Sequence, residues 1–336
     1  MERYEKQILF NEIGLEGQIK LLNKKVVIIG CGALGTVISN NLVRSGVGFI
    51  KLIDRDYIEI SNLQRQNLFD EDDIKNNLPK AVTAANKLKR INSSIIIESI
   101  LTDVNSKNIE SLCEGMDVIM DATDNLQTRY LINDISIKLN IPWIYGGAIG
   151  SAGMVHTIIP HETPCLRCMF PEIPPIGSTD TCDTVGVLNS ITSIVASIQS
   201  TEAIKLLVDK KDAIIKGLQY IDIWANEFET IDLNISKTCV ACGEKRFDFL
   251  DRATDEAVYL CGKNSIQINP LQKSISVEEI INRLKTLNIE VKQNAYYVKF
   301  TVEDVQFTLF YDGRAMLKNT SDLNRAKSLY ARYVGN

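Results

Sequence analysis

The sequence predicts an α/β fold: a mainly parallel sheet covered by helices on both faces, an antiparallel extension, and a small α+β domain at the C-terminal end. Three observations carry this. Apolar runs at 26–29, 49–53, 95–101 and 117–121, and one near 142–145, alternate with helical patterns at about 35–45, 79–91, 105–113 and 125–139. Such alternation calls for right-handed crossovers between parallel strands. The first run, Val26-Val27-Ile28-Ile29, passes into Gly30-Cys31-Gly32-Ala33-Leu34-Gly35, and the second ends at Leu52-Ile53-Asp54. A strand, a glycine turn, a helix and a second strand tipped by an acid form a nucleotide-binding unit. After Cys242 the composition shifts to short strand patterns framed by two helices.

With 336 residues, 45% of them hydrophobic, the chain can fill one large core and a second, smaller one. A net charge of −5 and a pI near 5.3 argue against a general nucleic-acid binder. No apolar run is long enough to span a bilayer, and Met1-Glu2-Arg3-Tyr4 lacks the apolar stretch of a signal peptide. A cytoplasmic protein with no membrane partner is expected. Two histidines, His156 and His161, give a histidine-based mechanism little material.

Residues 1–24 read as a charged helical arm with Ile8, Leu9, Ile13, Leu15, Ile19 and Leu22 on its apolar side. The glycine turn follows. Glycines let the backbone approach phosphates, with Gly30, Gly32, Ala33 and Gly35 at the opening of a helix whose N-terminus attracts anions. Asp54 is placed to accept hydrogen bonds from ribose hydroxyls. Taken alone, such a turn fits NAD, FAD or merely tight packing.

The next loop narrows the choice. Asp54-x-Asp56 followed by Ser61-Asn62-Leu63-Gln64-Arg65-Gln66 is more polar and more basic than a dinucleotide requires. This pattern resembles the ThiF/MoeB/HesA family, bacterial relatives of ubiquitin-activating enzymes, and the resemblance runs from about Tyr4 to about Gly243. It implies a Rossmann-like fold that binds ATP, in which Asp54, Asp56, Ser61, Asn62, Leu63, Gln64 and Arg65 line the nucleotide. It also implies an arm residue reaching the phosphates of a neighbouring subunit in a homodimer. The family has arginine at that position; here it is Lys6, with Arg3 close by.

Pro79-Lys80 opens the third helix, an ordinary start signal for the proline; the resemblance gives Lys80 to the phosphates. Asp121-Ala122-Thr123-Asp124-Asn125 ends a strand and begins a helix. Asp124 or Asn125 can cap that helix, and two acids over a nucleotide pocket also suit magnesium. By resemblance, Asp124 binds magnesium or ATP, Asn125 belongs to the same motif, and Arg129 supports it. Gly146 to Gly153 reads as the turn out of the parallel sheet into a strand at Met154–Ile159, an extension that in the family helps hold a carrier protein.

Cys165-Leu166-Arg167-Cys168 and Cys239-Val240-Ala241-Cys242 are two C-x-x-C pairs, together sufficient for a closed tetrahedral zinc site. A redox pair is the other reading. The family positions favour structural zinc. Between the pairs, residues 171–186 read as a mobile loop rich in Pro, Gly, Ser and Thr, with an isolated Cys182. The resemblance gives Cys182 a sulfur-transfer role as a covalent link to the carrier. Cys31, Cys113 and Cys261 read as packing residues. A long apolar helix is expected over 187–208. The adenylation domain then ends at about 245. Residues 246–336 carry no assigned motif; strands are expected near 257–260, 265–268, 289–292, 295–301 and 304–311, and helices near 276–287 and 321–333.

The resemblance implies an ATP- and magnesium-dependent adenylyltransferase that activates the C-terminal glycine of a ubiquitin-like sulfur carrier, ThiS- or MoaD-like, for thiamine or molybdopterin synthesis. A cysteine desulfurase or another sulfur donor would act next. Two other readings use the same fold: an NAD-dependent oxidoreductase, and a non-catalytic scaffold.

Overall fold

The computed structural model describes residues 1–76, 78–172, 174, 182–252, 257–260, 264–269 and 276–335, with the side chains of 182, 183 and 258–260 left aside. The chain forms two compact units, Met1–Arg252 and Ala253–Asn336.

The first unit is built on one eight-stranded sheet. Its strands are β1 (Lys25–Ile29), β2 (Phe49–Asp54), β3 (Ile96–Leu101), β4 (Val118–Asp121), β5 (Trp143–Ile149), β6 (Ala152–Ile158), β7 (Leu218–Asp222) and β8 (Glu227–Ile231), in the spatial order β3-β2-β1-β4-β5-β6-β7-β8. The first five run parallel. The last three join in antiparallel fashion. The parallel half is the predicted one. β7 and β8 have no counterpart in the sequence reading: β8 is exposed along its whole length and β7 buries only Leu218 and Ile221, three residues apart, so neither shows a strand's alternation.

A parallel sheet buried on both faces reads as a continuous apolar run, and β1 shows the consequence residue by residue. Val26 and Ile28 enter a core with helices α2 (Ala33–Ser45), α3 (Lys80–Ile91) and α5 (Asn189–Leu207). Val27 and Ile29 enter the opposite core, which holds Tyr130, Ile132 and Ile135 of α4 (Leu126–Leu139) and two of the paired cysteines, Cys165 and Cys239. Cys31 and Cys113 are buried packing residues, as expected; Cys261 lies outside the described residues.

The arm differs from its predicted packing. Helix α1 (Gly14–Leu22) buries Gly17, Gln18 and Leu21, whereas Leu9, Leu15 and Ile19 stay exposed. Its buried side is fixed by polar anchors: Gln7 and Gln18 donate to the Ser45 carbonyl at 2.9 and 3.0 Å, and Arg3 donates to the Ile91 carbonyl at 2.7 Å. The arm thereby holds the C-terminal ends of α2 and α3, opposite the ends where the glycine turn and Lys80 lie.

The second unit is a six-stranded antiparallel sheet in the order β11-β12-β13-β14-β10-β9, with helices α6 (Val277–Thr286) and α7 (Leu323–Tyr333) packed into its own core. The strands are β9 (Ala257–Leu260), β10 (Ser265–Ile268), β11 (Val291–Gln293), β12 (Tyr297–Val302), β13 (Val305–Phe310) and β14 (Ala315–Lys318). β14 has no counterpart in the sequence reading. Ser276 caps α6 by accepting from the Glu279 N–H.

Candidate functional site

The parallel strands bring their C-terminal ends to one edge, where ligands of such sheets bind. At the end of β1, Gly30 adopts φ +100°, and a Cβ there would stand 2.3 Å from the Ala122 carbonyl oxygen. A Cβ on Gly35 would stand 2.0 Å from the Gly30 oxygen. These two glycines are therefore demanded by the packing of α2 against β1 and β4. Gly32 is different. A Cβ there would meet nothing closer than Gln66 Nε2 at 3.9 Å. Gly32 is also the cap residue of α2, which has no side-chain cap, so N–H groups next to Ala33 are left for a ligand's oxygens.

Asp54, at the tip of β2, accepts from the Cys31 N–H at 2.6 Å and from the Asp56 N–H at 2.7 Å. One carboxylate thus ties the glycine turn to the loop after β2. Burial pushes its carboxyl above the ordinary value, against the pull of the Lys80 ammonium. Lys80, 5% exposed at the first turn of α3, lies 3.3 Å from Asp56 Oδ2. Burial opposes its charge, and Asp56, Asp54 and Asp124 outweigh burial, holding the ammonium above the usual lysine range. Lys80 is thus a buried ammonium fixed at the ligand edge by the carboxylates around it, the kind of perturbed group that marks a candidate site.

The loop over residues 61–66 divides its labour. Asn62 is 3% exposed and forms a reciprocal capping box with Glu59. Leu63 packs against the first core. Arg65 is half-buried and donates to the Ser61 carbonyl at 3.0 Å; Ser61 and Gln64 are exposed, and Gln64 Nε2 lies 3.5 Å from the Val187 carbonyl. Gln66, absent from the predicted site, is 3% exposed beside Gly32 and leaves Oε1 buried without a partner.

After β4 the two acids part. Asp121 is fully buried, takes two hydrogen bonds from Thr123 and pairs with Arg129 at 3.1 Å. Arg129 also donates to the carbonyls of Thr123 and Gly146. Asp124 is exposed, within electrostatic reach of Lys80, Arg129 and Arg55. Asn125 caps α4 by accepting from Thr128 N at 2.8 Å, so of the two capping candidates it is the asparagine that caps. Arg55 and Asp103, also absent from the sequence reading, pair at 2.9 Å across the ends of β2 and β3. The structure thus gathers Asp54, Asp56, Lys80 and Asp124 electrostatically. It does not bring Lys6 to them: within the chain Lys6 is exposed and faces Glu5 at 3.7 Å.

The four paired cysteines meet, with Sγ atoms within 4.8 Å of one another and separations of 3.9 Å for Cys165–Cys168, 3.6 Å for Cys165–Cys239 and 3.4 Å for Cys168–Cys242. Tetrahedral zinc with Zn–S bonds of about 2.3 Å needs sulfurs about 3.8 Å apart, so the donor set fits. The crowded thiols cannot ionise together by themselves: the hydrogen bond from Cys165 pulls Cys168 down to about 4, while burial pushes Cys242 up to about 12. Cys182 opens a short helix, Cys182–Val185; its side chain and Thr181 lie outside what is described.

Known proteins resemble this chain in sequence and in fold. A Bacillus subtilis (strain 168) protein, "Sulfur carrier protein ThiS adenylyltransferase", is 41% identical over 337 aligned residues, 99% of each chain. The "SAMP-activating enzyme E1" of Haloferax volcanii is 38% identical over 75% of this chain and 92% of its own. Among solved structures, that of E. coli MccB with ATP superposes with a TM-score of 0.63 at 25% identity, over 72% of this chain and 74% of MccB, and shares the fold. The ThiF family model matches residues 4–242, the stretch that carries the glycine turn, the charged cluster and all four paired cysteines, and the chain belongs to the ThiF family.

Proposed function

We propose that the protein is an ATP-dependent adenylyltransferase that activates the C-terminal glycine of a ubiquitin-like sulfur carrier. A carboxylate oxygen of that glycine attacks the α-phosphorus of ATP. The new O–P bond forms as the bond to the β-phosphate oxygen breaks, giving an acyl adenylate and pyrophosphate. The nucleophile is already an anion, so the chemistry asks for positioning and charge neutralisation rather than a protein base.

The observation that supports this most directly is the buried Lys80 ammonium among Asp54, Asp56 and Asp124, where Asp54 also accepts from the Cys31 N–H of the glycine turn. Asp54 holds ribose; the α2 N-terminus, Lys80 and Arg65 hold phosphates. Asp124, exposed over the same edge, would hold magnesium, which when bound offsets phosphate charge. Neither histidine is placed for hydride chemistry: His156 sits with its ring nitrogens 2.7 and 2.9 Å from the Gly217 and Pro164 carbonyls, and His161 is exposed in a turn. The cysteine cluster holds a structural zinc with no open position. No helix of the described residues is long and apolar enough to cross a membrane, and a cytoplasmic setting keeps those thiols reduced. Lys6 acts on the phosphates of a partner subunit in a homodimer. A persulfide donor such as a cysteine desulfurase first loads Cys182 with sulfur. The outer sulfur of that Cys182 persulfide then attacks the acyl carbonyl of the adenylate, the bond to the phosphate oxygen breaks, AMP leaves, and the carrier is held as an acyl disulfide.

Alignment over 99% of the chain, against 75% for the haloarchaeal enzyme, favours a ThiS-like carrier and thiamine synthesis. ATP–pyrophosphate exchange with ThiS-like and MoaD-like carriers in parallel tests this. Exchange is expected with the ThiS-like carrier and should fall about 100-fold in Asp124→Ala, the order seen when one preorganised charge is removed. Exchange that survives Asp124→Ala unchanged would refute the assigned site, and exchange with the MoaD-like carrier alone would refute the pathway.

A further inference from the structure

The site described so far accounts for phosphates and ribose but leaves the base without a wall. Resting on the adenylation reading, the nucleotide's course over the sheet follows from strand order. The phosphates lie over β1 and towards Asp124 at the end of β4; the ribose lies over β2, on Asp54. In the sheet the next strand outward is β3. Strands are about 4.8 Å apart, so a base extending from that ribose passes over the ends of β2 and β3. There Arg55, the residue directly after Asp54, meets Asp103, with Nη1 and Oδ1 2.9 Å apart and side chains only 24% and 18% exposed.

The Asp103 end of this pair is rigid. Its carbonyl accepts from the amides of Asn105 and Asn108 at 3.1 and 2.8 Å, and Asn108 Oδ1 in turn accepts from the Asn105 N–H at 2.9 Å. Thr102, before it, donates its N–H to the Asp54 carbonyl at 3.2 Å. The ribose acid and the carboxylate that aims Arg55 are thereby joined by one peptide hydrogen bond. An arginine so held presents a delocalised plane that stacks on an aromatic ring; lysine, a point charge, cannot do this.

We propose that Arg55 is the outer wall of the purine site, stacking its guanidinium, oriented by Asp103, on the base of the bound ATP. It is a binding residue for the base and does not touch the phosphates. Calorimetric titration of the full-length zinc-loaded protein, with magnesium and without carrier, uses ATP and inorganic tripolyphosphate as probes. Arg55→Ala should weaken ATP about tenfold, within the range of a desolvated cation–π contact, and change tripolyphosphate less than about twofold. Arg55→Lys should lose nearly as much ATP affinity as alanine, because charge without a plane is not enough. Asp103→Asn should fall between wild type and Arg55→Ala.

Equal losses for both probes would make Arg55 a phosphate contact and overturn the proposal. So would full ATP affinity in Arg55→Ala or in Arg55→Lys. Wild-type protein that binds ATP but shows no carrier-dependent exchange would sink the adenylation reading and leave the Arg55 result standing. Wild-type protein that binds no ATP would sink both.

Discussion

Asp134 shows what a single buried acid can do to this molecule. It lies on α4, 2% exposed, and accepts from the Phe249 N–H at 3.0 Å, fastening the end of the first unit. Burial pushes its carboxyl up to about 7 from an unfolded value of 3.8. An acid with a raised folded pKa holds a proton that the unfolded chain releases. Its contribution to stability is therefore whole below the unfolded pKa and is lost as pH climbs through the folded one. The shift corresponds to a loss on the order of 4 kcal/mol by pH 8. Asp134→Asn keeps the acceptor and removes the charge. It should raise the melting temperature at pH 8 by at least about 4 °C and leave it unchanged at pH 4; equal effects at both pH values would count against the titration. Residues of this kind are not legible in a sequence. The places of Asp54 at a strand end and Lys80 at a helix start could be read from the sequence, whereas Asp134, Gln66 and Arg55 acquire their surroundings from chain segments that approach only in the folded molecule.

Among the elements, the strand–turn–helix of β1 and α2 was legible because one glycine pattern serves two demands. Gly30 and Gly35 are needed by packing, and Gly32 faces the open room. Gly35→Ala would drive a methyl into the Gly30 carbonyl. It should cost about 2–3 kcal/mol, the scale of overpacking a tight core. Urea unfolding should show a lower midpoint at an unchanged slope; Gly32→Ala, with free space around it, should move the midpoint far less. The arm was harder. Its apolar residues recur at helical spacing, yet Leu9, Leu15 and Ile19 face outward. Periodicity identifies a helix side but cannot say what lies against it.

Over the whole molecule, the two cysteine pairs join segments 74 residues apart in sequence. Elemental analysis should find one zinc per chain, and Cys239→Ser should lose the metal and lower the melting temperature, since binding energy of a closed site is folding energy. Full metal content in Cys239→Ser would refute a four-sulfur site. The pairs were legible as a motif; that they close beneath the sheet, in one core with Trp143 and Tyr130, follows only from the crossing of chain segments in space.

Helix α5 has a bearing on how the chain emerges from the ribosome. All five parallel strands are complete by Ile149, yet Ile191, Val195, Ala196 and Ala203, which share the core of Ile28, Ile144 and Val155, come from residues 189–207. For some forty residues of synthesis, at about 5–20 residues per second, a nearly finished sheet shows part of one apolar face to water. A nascent chain paused in that interval is the form that chaperones would meet, and a product truncated before Asn189 would keep all five parallel strands and still aggregate.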